Sequence, residues 1–267
     1  MQQKRTRMTI LHRDDTDGIA TLTMDAPERL NALSDAMLAE LQSGFDAIAD
    51  DRDVRAVILR GTGKAFCAGH DLKEMQAGRQ AADGGAAYFA DLFGRCATMM
   101  QRIQSLPQPV IAQVHGIATA AGCQLVATCD LAIAADETRF GVNGVNIGLF
   151  CSTPMVALTR NIPRKSAFEM LTTGRFINTR EAQELGLINR AVAASDLDRT
   201  TQDLAATIAA KLPVAVKIGK QAFYAQAQMT TAEAYAYTGD VMVQNMLDAQ
   251  TNEGINAFLE KRDPDWS

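Results

Sequence analysis

The sequence predicts an α/β fold in which short strands alternate with helices. Residues 54–59 form an apolar, β-branched run that is typical of a buried strand, and a glycine-rich turn follows it. Residues 109–114 form a second such run, followed by Gly116 and a segment of small residues that opens a helix. Counted in this way, about four strand–strand–helix units precede residue 150. The periodicity alone leaves a doubly wound sheet as the main alternative.

The N-terminal part of the chain predicts two strands followed by a helix. Strands at 8–12 and Ile19–Met24 are joined by a turn at 15–18. Ser34 is well placed to cap the helix, because its hydroxyl can accept a hydrogen bond from the first backbone N–H groups. The apolar residues that share one face of this helix are Met37, Leu38, Leu41, Phe45 and Ile48.

The middle of the chain contains a polar interruption and then a long helix. Residues 77–85 are small and polar without periodicity, which favours a mobile loop. A helix over Ala86–Ser105 should end before Pro107, because the residue before a proline disfavours helical geometry. The predicted elements that follow are strand 109–114, helix 118–128, strand 131–134 and a short strand near Phe140.

Helices are predicted from Pro154 to the end of the chain. They cover 163–173, 179–184, 197–212, 213–224, a helix opened by the capping box of Thr230 and Glu233, and 251–261. In the last of these, Ile255, Phe258 and Leu259 form an apolar face that needs a partner surface. A neighbouring subunit and the chain's own core are equally good partners at this point.

Composition places the chain among ordinary globular proteins. Its 267 residues suffice for a large core, and 47% hydrophobic with 21% charged residues is usual for that class. A net charge of −5 argues against a broad nucleic-acid surface. No apolar run reaches the roughly 18 residues that span a bilayer. The basic N-terminus lacks the apolar region of a secretory signal, so a cytoplasmic location is predicted, with an organellar address left open.

Cysteines and histidines give no pattern of a metal site. The five cysteines form no CxxC pair, and the three histidines are scattered along the chain. Most of the cysteines lie in apolar segments, which favours buried, reduced thiols.

The glycine-rich turn at 61–65 does not match either of the common phosphate-binding motifs. A Walker loop requires Ser or Thr after its lysine, and Ala65 follows Lys64 here. A Rossmann fingerprint would require a third glycine at the position of Phe66. Nucleotide binding through this turn is therefore not expected.

The two strand-to-turn segments together suggest another kind of site. Small residues let a backbone approach a ligand closely, and the first N–H groups of a helix have no partner within it. Two such turns that face each other can offer two backbone donors to one oxygen, which is the geometry of an oxyanion hole. A tight turn that merely packs a helix on a strand is the structural alternative.

Three segments in order resemble the enoyl-CoA hydratase/isomerase (crotonase) superfamily: 29–33 (RLNAL), 65–72 (AFCAGHDL) and 116–124 (GIATAAGCQ). The likeness runs from about Ile10 to Trp266. It implies a spiral core of ββα units over 1–195 with an acyl-CoA site. It also implies a C-terminal helical region over 196–267, which packs on the core or on a neighbouring subunit in trimers or dimers of trimers.

The resemblance also implies how an acyl-CoA thioester would be held. The backbone N–H groups of His70 and Ala121 correspond to the two donors to the thioester oxygen. The residues that correspond to coenzyme A contacts are Ala68, Gly69, Asp71 and Leu72 at the adenine, with Arg29, Lys64, Phe258 and Lys261 as further candidates. Coenzyme A enters as part of the substrate or ligand, and no permanently bound cofactor or metal is expected.

The chain departs from the family pattern where hydratases carry two catalytic glutamates. The first position is Gln124, and the second is Gly144. An amide cannot act as a general base near neutral pH and glycine has no side chain, so weak or no hydratase activity is expected. Polar residues placed near the inferred site by this register are Asn146 and Ser152. A non-catalytic acyl-CoA-binding or regulatory protein is the alternative, and the sequence is most similar to a branch of the family that lacks both glutamates.

Overall fold

Two sheets organise residues 9–266, which are the residues that the computed structural model describes. The strands are β1 (Leu11–Thr16), β2 (Ile19–Met24), β3 (Ala56–Gly61), β4 (Val110–Val114), β5 (Ile117–Thr119), β6 (Leu131–Ala135), β7 (Arg139–Gly141), β8 (Phe176–Asn178) and β9 (Arg190–Val192).

Helices cover the sheets and form the C-terminal part of the chain. They are α1 (Asp35–Ala49), α2 (Leu72–Gly78), α3 (Ala86–Ser105), α4 (Ala121–Thr128), α5 (Ser152–Asn161), α6 (Arg164–Thr173), α7 (Thr179–Leu185), α8 (Leu197–Ala209), α9 (Pro213–Gln226), α10 (Thr231–Met246) and α11 (Ala249–Glu260).

The topology of the two sheets confirms the ββα spiral. The larger sheet has the order β1-β2-β3-β4-β6-β9, with β1 antiparallel to β2 and the other neighbours parallel. The smaller sheet has the order β5-β7-β8. The chain passes from β4 in the larger sheet to β5 in the smaller one and then to α4, and it repeats the sequence with β6, β7 and α5. A doubly wound single sheet is therefore excluded.

Several elements form where the sequence predicts them. Helix α3 has the predicted bounds, and the hydroxyl of Ser34 accepts a hydrogen bond from the Met37 N–H at 3.2 Å to cap α1. Strand β1 begins at Leu11, later than predicted, and Met8 lies outside the described residues.

Helix α2 and strand β5 differ from the prediction. Asp71 caps α2, which begins before the stretch predicted as a loop and extends into it. Residues Ile117–Thr119, at the start of the predicted helix 118–128, pair with β7 instead, so α4 begins only at Ala121. Small residues suit a helix and a close strand equally, and the neighbouring β7 decides between them.

The main core lies between the larger sheet and the helices on one of its faces. Its largest fully buried side chains include Phe45, Phe66 and Phe140, each with no exposed surface. On the other face, Ala205 and Ala209 of α8 pack against Ile58 and Ile111. Within the region 196–267, α8 thus packs on the larger sheet. Helices α9, α10 and α11 follow it in the sequence.

A buried lysine attaches α9 to the core. The Lys220 Nζ donates hydrogen bonds to the carbonyl oxygens of Ile103 at 2.8 Å and Gln108 at 2.9 Å, and to Asp130 Oδ2 at 2.7 Å. The Tyr224 hydroxyl donates to Asp130 Oδ1 at 2.8 Å. Because all three ammonium protons have acceptors, burial of this charge is compensated.

Helices α10 and α11 carry large apolar side chains that the chain itself leaves exposed. They are Tyr235, Met242, Val243, Met246, Ile255, Phe258 and Leu259. Large apolar side chains that stay exposed in such number are typical of interaction sites. No helix among the described residues is long and apolar enough to cross a membrane.

Candidate active site

The site is built where the segment after β3 runs beside the segment that includes β5. The Cys67 N–H donates to the Ile117 oxygen at 3.2 Å, and the Thr119 N–H donates to the Cys67 oxygen at 3.1 Å. These bonds form a parallel bridge between Cys67 and Ala118. Beyond this bridge, His70 pairs with Leu33, and Gly69 lies beside Ala120 and Ala121.

Glycines allow the two segments to approach this closely. Gly69 has a φ of +89°, and a Cβ atom on it would lie 2.9 Å from the Cβ of Ala120 and 3.3 Å from the nitrogen of Ala121. On the other segment, a Cβ on Gly122 would overlap the carbonyl oxygen of Cys67. Any larger residue at either position would force the segments apart.

The backbone N–H groups of His70 and Ala121 are unpaired within the described part of the chain. Ala121 is the first residue of α4, where N–H groups have no partner inside the helix. No carbonyl among residues 9–266 accepts a hydrogen bond from either group. Both N–H groups that the resemblance assigns as donors therefore lack a partner among the described residues, and their role in holding an oxyanion stays a prediction.

The residue between β5 and α4 has a strained backbone. Ala120 adopts φ 50° and ψ −120°, a combination that a residue with a Cβ atom rarely takes. It is held there because its N–H donates to the Gly141 oxygen at 2.9 Å and its oxygen accepts from the Gln124 N–H at 3.0 Å. Strain of this kind persists where the surrounding structure fixes it and is common at functional sites.

The His70 ring lies between the start of α1 and helix α3. Its Nδ1 is 3.3 Å from the Leu33 oxygen, and its ring meets that of Phe93 edge-on, with centroids 5.7 Å apart. Burial lowers the pKa of His70, so the ring is neutral at pH 7. Its Nε2 is buried and has no hydrogen-bond partner among the described residues.

Gln124 lies one turn into α4 and is 6% exposed. Its Oε1 is buried without a partner in the described part of the chain. Side chains on a helix point back toward its N-terminus, so the Gln124 amide covers the turn that begins at Ala121. The position that the resemblance aligns with the first hydratase glutamate thus carries an amide whose oxygen has no partner among the described residues.

Gly144 occupies a position with no room for a side chain. A Cβ atom there would overlap the Leu149 carbonyl oxygen and lie 2.9 Å from the Cys151 sulfur. The overlap arises because the chain folds back on itself, with the Leu149 N–H donating to the Gly144 oxygen at 2.9 Å. At the position that the resemblance aligns with the second hydratase glutamate, the Leu149 backbone therefore fills the space that a side chain would need.

Asn146 and Ser152 are both exposed. The Asn146 side chain packs over Gly174 at the end of α6, and the Ser152 hydroxyl donates to the Phe150 oxygen at 3.4 Å. Thr119, which the sequence analysis did not single out, lies beside the donors and donates through Oγ1 to Asn143 Oδ1 at 2.6 Å. The only sequence signal for Thr119 was its place among the small residues of the family segment 116–124.

Arg29 is paired rather than free. Its Nη1 lies 3.0 Å from Asp71 Oδ2 and 3.2 Å from Glu74 Oε1. Asp71 also caps α2, accepting from the Lys73 N–H at 2.9 Å. Both predicted coenzyme A contacts therefore take part in a network that fixes the start of α2.

Asn31 is a structural residue whose role the sequence analysis missed. It is fully buried, has a φ of +51°, and accepts a hydrogen bond from the Ala26 N–H at 2.9 Å. Its Nδ2 donates to the oxygens of Thr62 and Ala65, both at 2.8 Å. The signal was an asparagine inside the first family segment, since asparagine tolerates a left-handed backbone better than most residues.

The remaining predicted contacts lie in different parts of the molecule. Ala68 and Gly69 belong to the site, whereas Lys64 and Leu72 are exposed at its edge. Phe258 is 82% exposed on α11, and Lys261 ends that helix. Helix α11 packs on α10.

Among the described residues, no three His, Cys, Asp or Glu side chains are grouped so that they could hold a metal ion. All five cysteines are reduced and buried. Burial raises the pKa of Cys123 to about 12, and it also raises that of Cys151, so neither is a thiolate at neutral pH.

Comparison with known proteins identifies close relatives. The family model described as "Enoyl-CoA hydratase/isomerase" matches residues 14–267. A human protein named "Enoyl-CoA hydratase domain-containing protein 3, mitochondrial" is 45% identical over 251 residues, covering 94% of this chain and 81% of the human one. Relatives of the same name in other vertebrates are similar at 40–43% identity.

Solved structures give the same result. An enoyl-CoA hydratase from Mycobacterium smegmatis superposes with a TM-score of 0.93 at 53% identity, covering 97% of this chain and 99% of that one. The human enoyl coenzyme A hydratase domain-containing protein 3 superposes with a TM-score of 0.92 at 43% identity, covering 97% and 100%. The branch that the sequence resembles is thereby confirmed along with the fold.

Proposed function

This chain belongs to the enoyl-CoA hydratase/isomerase family, and we propose that it binds an acyl-CoA thioester and stabilises an oxyanion or enolate of it. The observation that carries the proposal is a pair of backbone N–H groups, those of His70 and Ala121, which have no partner among the described residues and belong to segments that touch at Gly69 and Ala120. Both would point at the thioester oxygen, and the N-terminus of α4 favours negative charge there. One such donor is typically worth about 2.7–4 kcal/mol in a transition state.

Ordinary hydration of a double bond would be slow at this site. Gln124 and Gly144 stand where relatives of the two-glutamate type carry acid–base groups, and neither can move a proton at neutral pH. Each such group contributes roughly 10²–10⁴-fold. The His70 ring is partly buried, and burial lowers its pKa, so the ring is neutral at pH 7.

Further contacts and assembly are part of the same proposal. Arg29, Lys64, Phe258 and Lys261 are proposed to hold coenzyme A, the last two from a neighbouring subunit, since α11 exposes Phe258. The exposed apolar face of α10 and α11 is proposed to pack in a trimer or dimer of trimers. The cytoplasmic location predicted from the sequence also stays a proposal. The human relative differs in this respect, since it is named as a mitochondrial protein.

The second candidate function is an acyl-CoA-binding or regulatory protein without turnover. It is favoured by the Gly144 backbone, which leaves no room for a catalytic side chain. This function requires the same donors but no proton transfer. Both candidate functions therefore predict binding of an acyl-CoA ester, and only the first predicts that the ester is converted.

Two measurements on the purified chain test these functions. Calorimetry with butyryl-CoA should give saturable binding, and hydration of crotonyl-CoA should be at least about a hundredfold slower than in a two-glutamate relative. A panel of unsaturated, β-keto and malonyl-type thioesters then separates slow catalysis from binding alone. Absence of binding to every ester would contradict both candidates, and crotonyl-CoA turnover near the relative's rate would refute the slow-hydratase assignment.

A further inference from the structure

A groove lies where α5 ends and α6 begins. It encloses about 470 Å³, which is within the range of pockets that hold small ligands. Two of its lining residues come from α5 and five from α6: Met155, Thr159, Arg164, Lys165, Phe168, Glu169 and Leu171. None of them belongs to the proposed thioester site, so the groove is a separate feature of the surface.

The groove has an apolar part, formed by Met155, Phe168 and Leu171. Met155 is half-buried and Leu171 is buried, while the Phe168 side chain is 64% exposed. Arg164, Phe168 and Leu171 are spaced i, i+4 and i+7, so they share one face of α6 over about 10 Å of its axis. An alkyl chain on this face would be removed from water together with the Phe168 ring.

The start of α6 contributes two positive charges that the described part of the chain leaves unpaired. Arg164 and Lys165 are exposed, and neither side chain forms an ion pair or a hydrogen bond with another described residue. Among the described residues that line the groove, Glu169 alone is acidic, and it is paired with Arg175, whose Nε lies 3.2 Å from Glu169 Oε1. The charges of Arg164 and Lys165 are therefore not compensated within residues 9–266.

Two uncompensated cations beside an apolar surface match one kind of ligand. A small anion would leave Phe168 exposed, and a neutral lipid would leave both charges without a partner. A carboxylate can accept two parallel hydrogen bonds from the Arg164 guanidinium and another from the Lys165 ammonium. An alkyl chain attached to that carboxylate can follow α6 toward Leu171.

We infer that the groove binds one long-chain fatty acid as its anion, with the carboxylate held by Arg164 and Lys165. The alkyl chain lies over the apolar part of the groove. The enclosed volume favours a single chain over a membrane, because a flat bilayer would contact the groove only at its rim. The groove shares no residue with the thioester site, so binding there is independent of the proposed function.

Calorimetric titration of the wild-type chain with decanoate, 1-decanol and acetate tests the inference. Decanoate has both the charge and the chain and should bind at one site per chain. The alcohol lacks the charge and acetate lacks the chain, so each should bind at least about tenfold more weakly. Affinity should rise from hexanoate to decanoate by up to about fourfold for each methylene that the groove buries. Equal affinity for decanoate and 1-decanol would overturn the inference.

A pair of double variants locates the carboxylate. R164Q/K165Q removes both charges and should weaken decanoate binding by about tenfold or more. The matched control K211Q/K217Q removes the same charge at two exposed lysines outside the groove and should bind decanoate like the wild type. Wild-type affinity in R164Q/K165Q would overturn the inference, and so would an equal loss of affinity in the control.

Fluorescence locates the alkyl chain. F168W places an indole at the exposed position in the groove, and decanoate should shift its emission to shorter wavelength with the dissociation constant found by calorimetry. The wild type, whose single tryptophan is Trp266, is the control and should show no shift. An unchanged F168W spectrum at saturating decanoate would place the chain elsewhere and overturn the inference.

Other occupants of the groove would give different results. An anionic membrane would make the chain sediment with phosphatidylglycerol vesicles. A second copy of the chain would make the oligomeric state in ultracentrifugation differ between wild type and R164Q/K165Q. Either result without decanoate binding would overturn the inference. If decanoate binds and no acyl-CoA ester does, the proposed function fails and the fatty-acid site stands.

Discussion

The carbonyl oxygen of Cys67 lies where a Cβ atom on Gly122 would stand. The first turn of α4 can therefore contact the segment after β3 only because residue 122 is glycine. The approach of α4 to the segment that leads to His70 depends on this one missing side chain.

The variant G122A should separate the two segments and weaken binding of butyryl-CoA by roughly tenfold or more, since the donors would no longer converge. The matched variant G94A changes an exposed glycine in α3, where a Cβ meets nothing within 4 Å. It should bind normally and gain up to about 1 kcal/mol in unfolding free energy. Affinity equal to wild type in folded G122A would contradict the role of the close contact.

Restoring a glutamate at position 144 should fail. In G144E the new side chain meets the Leu149 carbonyl, so the free energy of unfolding should fall by about 1–3 kcal/mol, as in other overpacked sites. Hydration of crotonyl-CoA should not increase, even in the double variant with Q124E. The control G94E places the same side chain on the surface of α3 and should unfold like the wild type. If the double variant hydrated crotonyl-CoA about a hundredfold faster or more, the segment from Gly144 to Leu149 would have to move to admit the glutamate.

Relief of strain at Ala120 should stabilise the chain. Glycine adopts a positive φ without the steric cost that alanine meets, so A120G should raise the free energy of unfolding by about 1 kcal/mol. Denaturant titration measures this change. The control A90G, at an exposed position in α3, should lower stability by a similar amount because glycine is unfavourable in a helix. A loss of stability in A120G would mean that packing of the Ala120 Cβ stabilises the chain by more than the backbone strain costs.

The His70 ring should make stability depend on pH. Its pKa in the folded chain is lowered from 6.5, mainly by burial, so below pH 6.5 the unfolded chain takes up the proton first. The ring's contribution is thus present above pH 6.5 and is lost as the pH falls through the folded pKa. Thermal unfolding between pH 7.5 and 5 should show a steeper loss in the wild type than in H70Q. Parallel curves would contradict a buried neutral imidazole.

The sequence predicted the ββα architecture because family segments and local patterns agreed. Helix α3 has a strong periodicity and a proline beyond its end, and it formed with the predicted bounds. Strand β5 was missed because residues 117–119 pair with β7, a contact between distant parts of the chain. Local propensity carries no information about such a partner.

The two donor positions were assigned from recognisable backbone segments, and their role stays a prediction. The blocked space at Gly144 was not predictable, because it depends on where the Leu149 carbonyl lies after the chain folds back. The pairing of Arg29 with Asp71 was hidden for a similar reason, as 42 residues separate them. Side-chain partners that are distant in sequence decide whether a polar residue is free to bind a ligand.

Asp130 is shared by three parts of the molecule. It follows the end of α4, accepts a hydrogen bond from the Val110 N–H at the start of β4, and holds Lys220 and Tyr224 of α9. A displacement of α9 would therefore act, through this one carboxylate, on the start of β4 and on the end of α4.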